Sequence, residues 1–93
     1  MKVFVKFYAH LRDLVNQQEK LEIELGPSAT VTQMLDKLIK DEKIRKHIFD
    51  DKKQVKPDIT LLINGREIKF LDGVNTILEH DDEISIFPIV AGG

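Results

Sequence analysis

Apolar residues occupy every second position in two short stretches near the start of the chain, residues 2–8 and residues 21–25. A period of two is typical of strands that bury one face. The residues between them, from 9 to 15, are predicted to form a turn or a short helical connection, and Gly26 begins the break after the second strand. We therefore expect an antiparallel pair of strands. Their inward residues would be Val3, Val5, Phe7, Leu21, Ile23 and Leu25.

The next stretch has the spacing of an amphipathic helix. Thr30 is followed three residues later by Gln33, the pattern of a capping box in which each side chain hydrogen-bonds the other residue's backbone at a helix start. The helix is predicted to reach about Asp41, and a weaker helical turn is expected within residues 44–49. A stripe of apolar residues at this spacing is far more often core than a cofactor-binding face. Its members are Val31, Met34, Leu35, Leu38 and Ile39.

The second half of the chain predicts three more strands. Residues 59–64 alternate, and Asn64 followed by Gly65 is a strong signal for a hairpin turn. A short return strand is therefore expected around Ile68, and residues 84–87 form the last predicted strand. The connector between these two strands is expected to pack through Val74, Ile77 and Leu78.

The order of these elements predicts an α+β domain, a mixed sheet of four to five strands packed on one main helix. This is the β-grasp arrangement of ubiquitin-like proteins, in which the first and last strands lie side by side. Residues 1–89 would form this domain, and residues 90–93 would form a flexible tail. Residues 50–58 are expected to be a solvated, lysine-rich loop without chemistry.

The final residues, Phe-Pro-Ile-Val-Ala-Gly-Gly, would put a free carboxylate on a tip without side chains. Gly92 and Gly93 lack Cβ atoms, so this end can enter a slot too narrow for other residues. Residues 90–93 span at most about 14 Å at roughly 3.3 to 3.6 Å per residue. The pair alone is equally compatible with a frayed terminus, and the preceding domain is what favours delivery into another protein.

Composition narrows the possible function. The chain has 93 residues, 32% of them charged, with a formal net charge of -2, so it lacks the basic field that nucleic-acid binding requires. No apolar run is long enough to span a bilayer and no signal-peptide pattern is present, which predicts a cytoplasmic protein without a membrane partner. The absence of cysteine excludes a thiol as the carrier of any reactive group.

Candidate metal and catalytic side chains are few. The three histidines lie in separate elements without ligand-like spacing, so no metal site is predicted. The acidic run of residues 81–83 precedes the last strand and is expected to be solvated. Strand parity instead leaves Phe4, Leu62 and Phe87 facing away from the helix, where they would form an apolar docking patch, unless a helix or loop covers them.

Several motifs resemble the molybdopterin synthase small subunit (MoaD) family of ubiquitin-like sulfur carriers, over essentially the whole chain. Residues 6–15 (KFYAHLRDLV) resemble the family's first strand and turn, residues 29–38 its helix start, and residues 62–65 (LING) its hairpin turn. The ending FPIVAGG is the most specific match. It departs from the family pattern at Ile89, where a second proline is frequent.

This resemblance implies a mechanism in which the chain is a sulfur donor and not itself an enzyme. A ubiquitin-activating-like adenylyltransferase would use ATP and magnesium to adenylate Gly93, which would then become a thiocarboxylate, with Gly92 giving steric access. The tail would enter the large subunit of molybdopterin synthase, which supplies the catalytic side chains. No cofactor would be bound by the chain itself. Partner contacts would extend along Pro88, Ile89, Val90 and Ala91.

Three other functions share some of these features. A carrier for thiamine thiazole synthesis would use the same fold and tail, although the length of this chain and its proline favour the molybdopterin branch. A ubiquitin-like modifier would join Gly93 to lysines of target proteins. A plain interaction domain would have an inert tail, and its function would survive deletion of Gly93.

Overall fold

The computed structural model describes residues 1–15 and 20–89. The sequence also predicts a polar turn at residues 16–20, of which residues 16–19 lie outside the described residues, as does the tail expected at 90–93. Five strands and two α-helices follow the chain, with 3-10 turns at Ala9–Val15, Ile68–Phe70 and Gly73–Asn75. The strands and helices are β1 (Lys2–Phe7), β2 (Leu21–Glu24), α1 (Val31–Leu38), α2 (Glu42–Ile48), β3 (Ile59–Ile63), β4 (Arg66–Glu67) and β5 (Glu83–Pro88).

The strands form one mixed sheet in the order β2-β1-β5-β3-β4. The last strand, β5, lies at the centre, parallel to β1 and antiparallel to β3. The only parallel pair in the described sheet is therefore the one that joins the first strand to the last, as expected of the β-grasp arrangement. The predicted α+β class and β-grasp arrangement are confirmed, with five strands.

The core forms where one face of the sheet meets α1. Alternate residues of β1 and β5 are almost fully buried, as the period of two predicted, and α1 buries Val31, Met34, Leu35 and Leu38 against them. The predicted capping box is present: Gln33 N–H donates to Thr30 Oγ1, and Thr30 N–H donates to Gln33 Oε1. Both periodicities thus identified the core correctly.

The first helix ends at Leu38, before the predicted end at Asp41. Asp41 has an extended backbone, and its carboxylate accepts hydrogen bonds from Lys43 N–H and Ile44 N–H at the start of α2. An aspartate at this position satisfies free amides of a new helix, which explains why one longer helix is replaced by two short ones. The predicted weaker turn is a seven-residue helix.

The connector after the hairpin differs from the prediction in two ways. The return strand covers only Arg66–Glu67, and Ile68 begins a 3-10 turn instead. Leu78 is buried as expected, but Val74 and Ile77 are 45% and 62% exposed. Leu78 N–H donates to Ala29 O at 2.8 Å in an extended segment, where successive side chains point to opposite sides. Leu78 therefore faces inward, which turns Ile77 outward.

Candidate functional site

The strand that leads to the C-terminal residues is held from both sides. Ile84 and Ile86 are 1% and 0% exposed, and β5 has hydrogen-bonded neighbours along both edges. Beyond the strand, Ile89 N–H donates to Asp58 O at 2.7 Å. The chain is therefore fixed by backbone hydrogen bonding up to Ile89, the last residue that the structure describes before residues 90–93.

An apolar surface lies on the outer face of the sheet beside this point. The rings of Tyr8 and Phe87 are 6.2 Å apart at 79°, an edge-to-face contact that is favourable for aromatic pairs. Leu62 lies diagonally from Phe87 across the β3–β5 pair, and Ile89 is 54% exposed. We call Tyr8, Leu62, Phe87 and Ile89 the outer patch.

Phe4 faces the same side as Phe87, as strand parity predicted, but lies at the other end of the sheet. Its register partner on β5 is Glu83, and Lys20 Nζ lies 5.8 Å from the Phe4 ring centroid and 3.1 Å from Glu83 Oε1. Lys20 therefore contacts both the Phe4 ring and the Glu83 carboxylate, and it covers part of the face of the ring. Phe4 is thus separate from the outer patch, and its role in partner binding remains a prediction.

The remaining predicted contact residues are Pro88 and the residues after Ile89. Pro88 pairs with Ile59. It shares the parity of Ile84 and Ile86, so it lies on the core side of the sheet at the end of the strand. Val90, Ala91, Gly92 and Gly93 lie outside the described residues, and their roles remain predictions. Residue-level reasoning from the sequence therefore identified three members of the outer patch, namely Leu62, Phe87 and Ile89.

Tyr8 was missed as a member of the outer patch. The sequence placed it on the correct face, since it shares parity with Phe4. However, its proximity to Phe87 follows from the parallel register in which Phe7 pairs with Ile86, and no local pattern fixes that register. Lys6 Nζ lies 5.1 Å from the Tyr8 ring centroid, so a cation borders the patch on this side.

The acidic run at residues 81–83 has a structural role at the opposite end of the sheet. Asn64 Nδ2 donates to Asp82 Oδ1 at 2.9 Å, and Glu79 N–H donates to Asp82 Oδ2 at 2.8 Å. Asp82 is half-buried in this network rather than solvated as expected. Within the part of the chain that the structure describes, no cluster of three or more His, Asp or Glu side chains is arranged to hold a metal ion.

No helix within residues 1–15 and 20–89 is long and apolar enough to cross a membrane. The candidate site consists instead of a central strand fixed up to its end, an apolar outer patch beside that end, and the sequence Val-Ala-Gly-Gly immediately after it. Such an arrangement can offer the segment that follows the strand to another protein.

Comparison with known proteins gives relatives that span the whole chain. Small archaeal modifier protein 3 of Haloferax volcanii is 35% identical over 94 residues, covering 100% of both chains. The structure of small archaeal modifier protein 1 from Methanosarcina acetivorans superposes with a TM-score of 0.77 at 33% identity, covering 99% of this chain and 96% of that one.

A Pyrococcus furiosus protein provisionally named molybdopterin converting factor subunit 1 superposes with a TM-score of 0.75 at 29% identity, covering 97% of this chain and 99% of that one. The profile of the ThiS family matches residues 5–93. Fold, sequence and coverage agree: the chain belongs to the ThiS family, a group of small ubiquitin-like carrier and modifier proteins.

Proposed function

We propose that this chain is a cytoplasmic sulfur carrier whose reactive group is the carboxylate of Gly93, with Gly93 as the terminal residue of the mature protein. The observation that carries the proposal is the central position of β5, which is paired on both sides and fixed as far as Ile89. A strand fixed up to Ile89 and followed by the sequence Val-Ala-Gly-Gly suits insertion into a narrow active site.

The chemistry has two balanced steps. The carboxylate oxygen of Gly93 attacks the α-phosphorus of ATP in a partner adenylyltransferase, so that a phosphoanhydride bond breaks and pyrophosphate leaves with magnesium. A hydrosulfide ion, supplied by a sulfur donor, then attacks the acyl carbon of the adenylate. AMP leaves with one of the original carboxylate oxygens, so sulfur takes the place of that oxygen. Activation is needed because a free carboxylate resists nucleophilic attack. ATP and magnesium act on the partner, and this chain supplies the acyl group.

For the sulfur acceptor we propose a pterin precursor bound in the large subunit of molybdopterin synthase. The FPIVAGG ending and the likeness to the Pyrococcus furiosus protein support this choice. The outer patch would dock on the large subunit while the tail enters its active site. Catalytic side chains then belong to the partner. Transfer to a thiazole precursor would use the same tail and is the first alternative acceptor.

A second candidate function is that of a protein modifier, in which a lysine amine attacks the activated Gly93 and forms an isopeptide bond. The observation that favours it is the 35% identity over full length to a small archaeal modifier protein. Both functions require adenylation of Gly93 and differ only in the nucleophile that follows. One chain can therefore perform both.

The decisive experiment is an intact mass measurement after incubation with the adenylyltransferase, ATP, magnesium and a sulfur source. We expect the mass gain of one oxygen-to-sulfur replacement, localised to the C-terminal peptide. A variant that lacks Gly93 is the matched control and should show no gain. An unchanged mass in the complete chain would refute sulfur carriage, and lysine-linked forms of high mass in cell extract would favour the modifier function.

A further inference from the structure

A basic region lies next to the end of the central strand. Residues 42–56 contain six cationic and three acidic side chains, a formal net charge of +3, whereas the other residues together carry -5. This segment comprises α2 and most of the following loop. Positive charge is thus concentrated in this segment and negative charge in the rest of the chain, although the overall charge is only -2. We call residues 42–56 the basic segment.

The loop of the basic segment is folded back onto its helix. Asp50 Oδ1 accepts hydrogen bonds from Lys52 N–H and Gln54 N–H, at 2.8 and 3.0 Å. Lys56 Nζ donates to Lys46 O at 3.2 Å, and Lys56 N–H donates to Ile48 O at 2.9 Å. These contacts border an open pocket of about 510 Å³. Its charged lining consists of four cations and two carboxylates, Arg45, Lys46, Lys53, Lys56, Asp50 and Asp51.

The basic segment ends close to the point from which the tail departs. Ile59 N–H donates to Lys56 O at 3.0 Å, and Asp58 O accepts from Ile89 N–H at 2.7 Å. Two residues of chain span at most about 7 Å and a hydrogen-bonded neighbour lies about 5 Å away, so the Cα atoms of Lys56 and Ile89 are within about 12 Å. Helix α2 and the tail end therefore share one side of the molecule.

Because the tail is short, a protein that binds its end must also come close to the basic segment. The four residues after Ile89 extend at most about 14 Å. A protein that takes Gly93 into its active site must therefore approach Ile89 to within that distance, which brings its surface over the basic segment as well as the outer patch. Buried or closely apposed charges of like sign would weaken such a complex, whereas complementary charges accelerate association and fix orientation.

We propose that the basic segment docks on an acidic face of the protein that activates Gly93. This inference rests on the proposed function, since it concerns the same tail and the same partner. The side chains best placed for the contact are Arg45 and Lys53, both exposed and both lining the pocket. Lys46 is engaged with Glu42 at 3.2 Å and Lys56 with the helix, so these two hold the segment together.

The test measures steady-state adenylation by the partner as a function of carrier concentration. The docking variant is Arg45→Gln with Lys53→Asn, where asparagine suits the positive φ of 64° at position 53. The control is Lys2→Gln with Lys20→Gln, which removes the same charge from exposed ion pairs with Glu22 and Glu83. Lys2 begins the strand parallel to β5, so it lies at the opposite end of the sheet.

The docking variant should raise KM for the carrier by about threefold to tenfold, a range set by losing two partly screened charge contacts. The increase should fall below about twofold near 1 M salt, where the Debye length is about 3 Å. Circular dichroism melts of both variants should match the parent chain. An unchanged KM, or an equal increase in the control, would overturn the docking surface. Absence of adenylation in the unaltered chain would refute the proposed function itself.

Discussion

The two ends of the central strand are held in different ways. At the turn end, before β5, side chains close the structure: Asn64 and Asp82 are linked at 2.9 Å, and Glu83 N–H donates to Asn64 Oδ1 at 2.9 Å. At the tail end, after β5, a backbone hydrogen bond between Ile89 and Asp58 continues the ladder. The turn end thus adds side-chain hydrogen bonds to its backbone ones, whereas the tail end is held through its backbone and leaves Ile89 exposed.

The aromatic residues at the two ends show the same contrast. At the turn end, Phe4 lies under Lys20, which also pairs with Glu83. At the tail end, Phe87 contacts the edge of Tyr8, and the exposed Ile89 follows it. Among the described residues, the outer patch therefore lies toward the end where the chain leaves the sheet, and this is where we propose that a partner docks.

The largest expected effect comes from the residue that anchors the tail end. Ile86 is 0% exposed at the centre of the sheet, and Ile86→Ala should lower the free energy of unfolding by about 2 to 5 kcal/mol, because a cavity replaces buried methyl groups. Urea denaturation measures this change. Ile89→Ala is the matched control and should cost less than about 0.5 kcal/mol, as expected of an exposed side chain. Equal losses would show that the end of the strand is not open.

The next effect concerns the outer patch. Phe87→Asp should weaken binding to the proposed large-subunit partner by about tenfold or more, as for an aromatic residue at the centre of an interface. The fold should survive, although the free energy of unfolding should fall by more than the edge contact with Tyr8 contributes, about 0.5 to 1.5 kcal/mol, because Phe87 is half-buried. Isothermal titration calorimetry gives the affinity. Phe70→Asp is the control, because Phe70 is 74% exposed and lies on the connector after β4, outside the outer patch.

If Phe70→Asp weakened binding as much as Phe87→Asp, the partner would contact the connector, and the contrast between the two ends would lose its functional meaning. Unaltered affinity in Phe87→Asp would count directly against the outer patch. Either result leaves the proposed chemistry at Gly93 intact, since that chemistry is measured by mass.

The sequence was most informative where a local rule decides the structure. The period of two in β1 and β5 predicted which residues are buried, and Thr30 with Gln33 predicted the helix start from one short motif. The Asn64–Gly65 turn was likewise predicted, and both residues have positive φ, 49° and 87°. Each of these features depends on neighbours within a few residues, so chain order alone contains the necessary information.

Features that depend on register or on competition between elements were missed. Tyr8 joins Phe87 only because β1 and β5 pair in one particular register. Asp41 caps the start of α2, so α1 ends before it. The apolar spacing fits one long helix as well as two short ones and cannot decide between them. The basic segment is spread through a helix and a loop, and its proximity to Ile89 exists only after β3 pairs with β5. The positions of the candidate site residues relative to one another therefore depend on long-range strand pairing, whereas the strands and helices themselves follow from local sequence patterns.

A smaller effect is expected at the turn end. Asn64→Gly should lower the free energy of unfolding by about 1 to 2 kcal/mol, because it removes two side-chain hydrogen bonds. Asn64→Ala should cost about 1 kcal/mol more, since alanine tolerates the positive φ of 49° less well than asparagine or glycine. Chemical denaturation of both variants separates the two causes. Equal stability of the two would show that backbone conformation contributes nothing here.

The smallest effect tests whether Phe4, which lies under Lys20 at the turn end, is outside the contact surface. Lys20→Gln removes an exposed ion pair with Glu83 and the cation over the ring, so stability should fall by less than about 1 kcal/mol, and this difference should shrink with salt. Lys20→Arg is the control and should retain both contacts. Calorimetry of the Lys20→Gln variant should give an unchanged partner affinity, because Phe4 lies at the turn end. A gain or loss of affinity beyond about threefold would place Phe4 within the interface, and the docking surface would then extend along the whole outer face of the sheet.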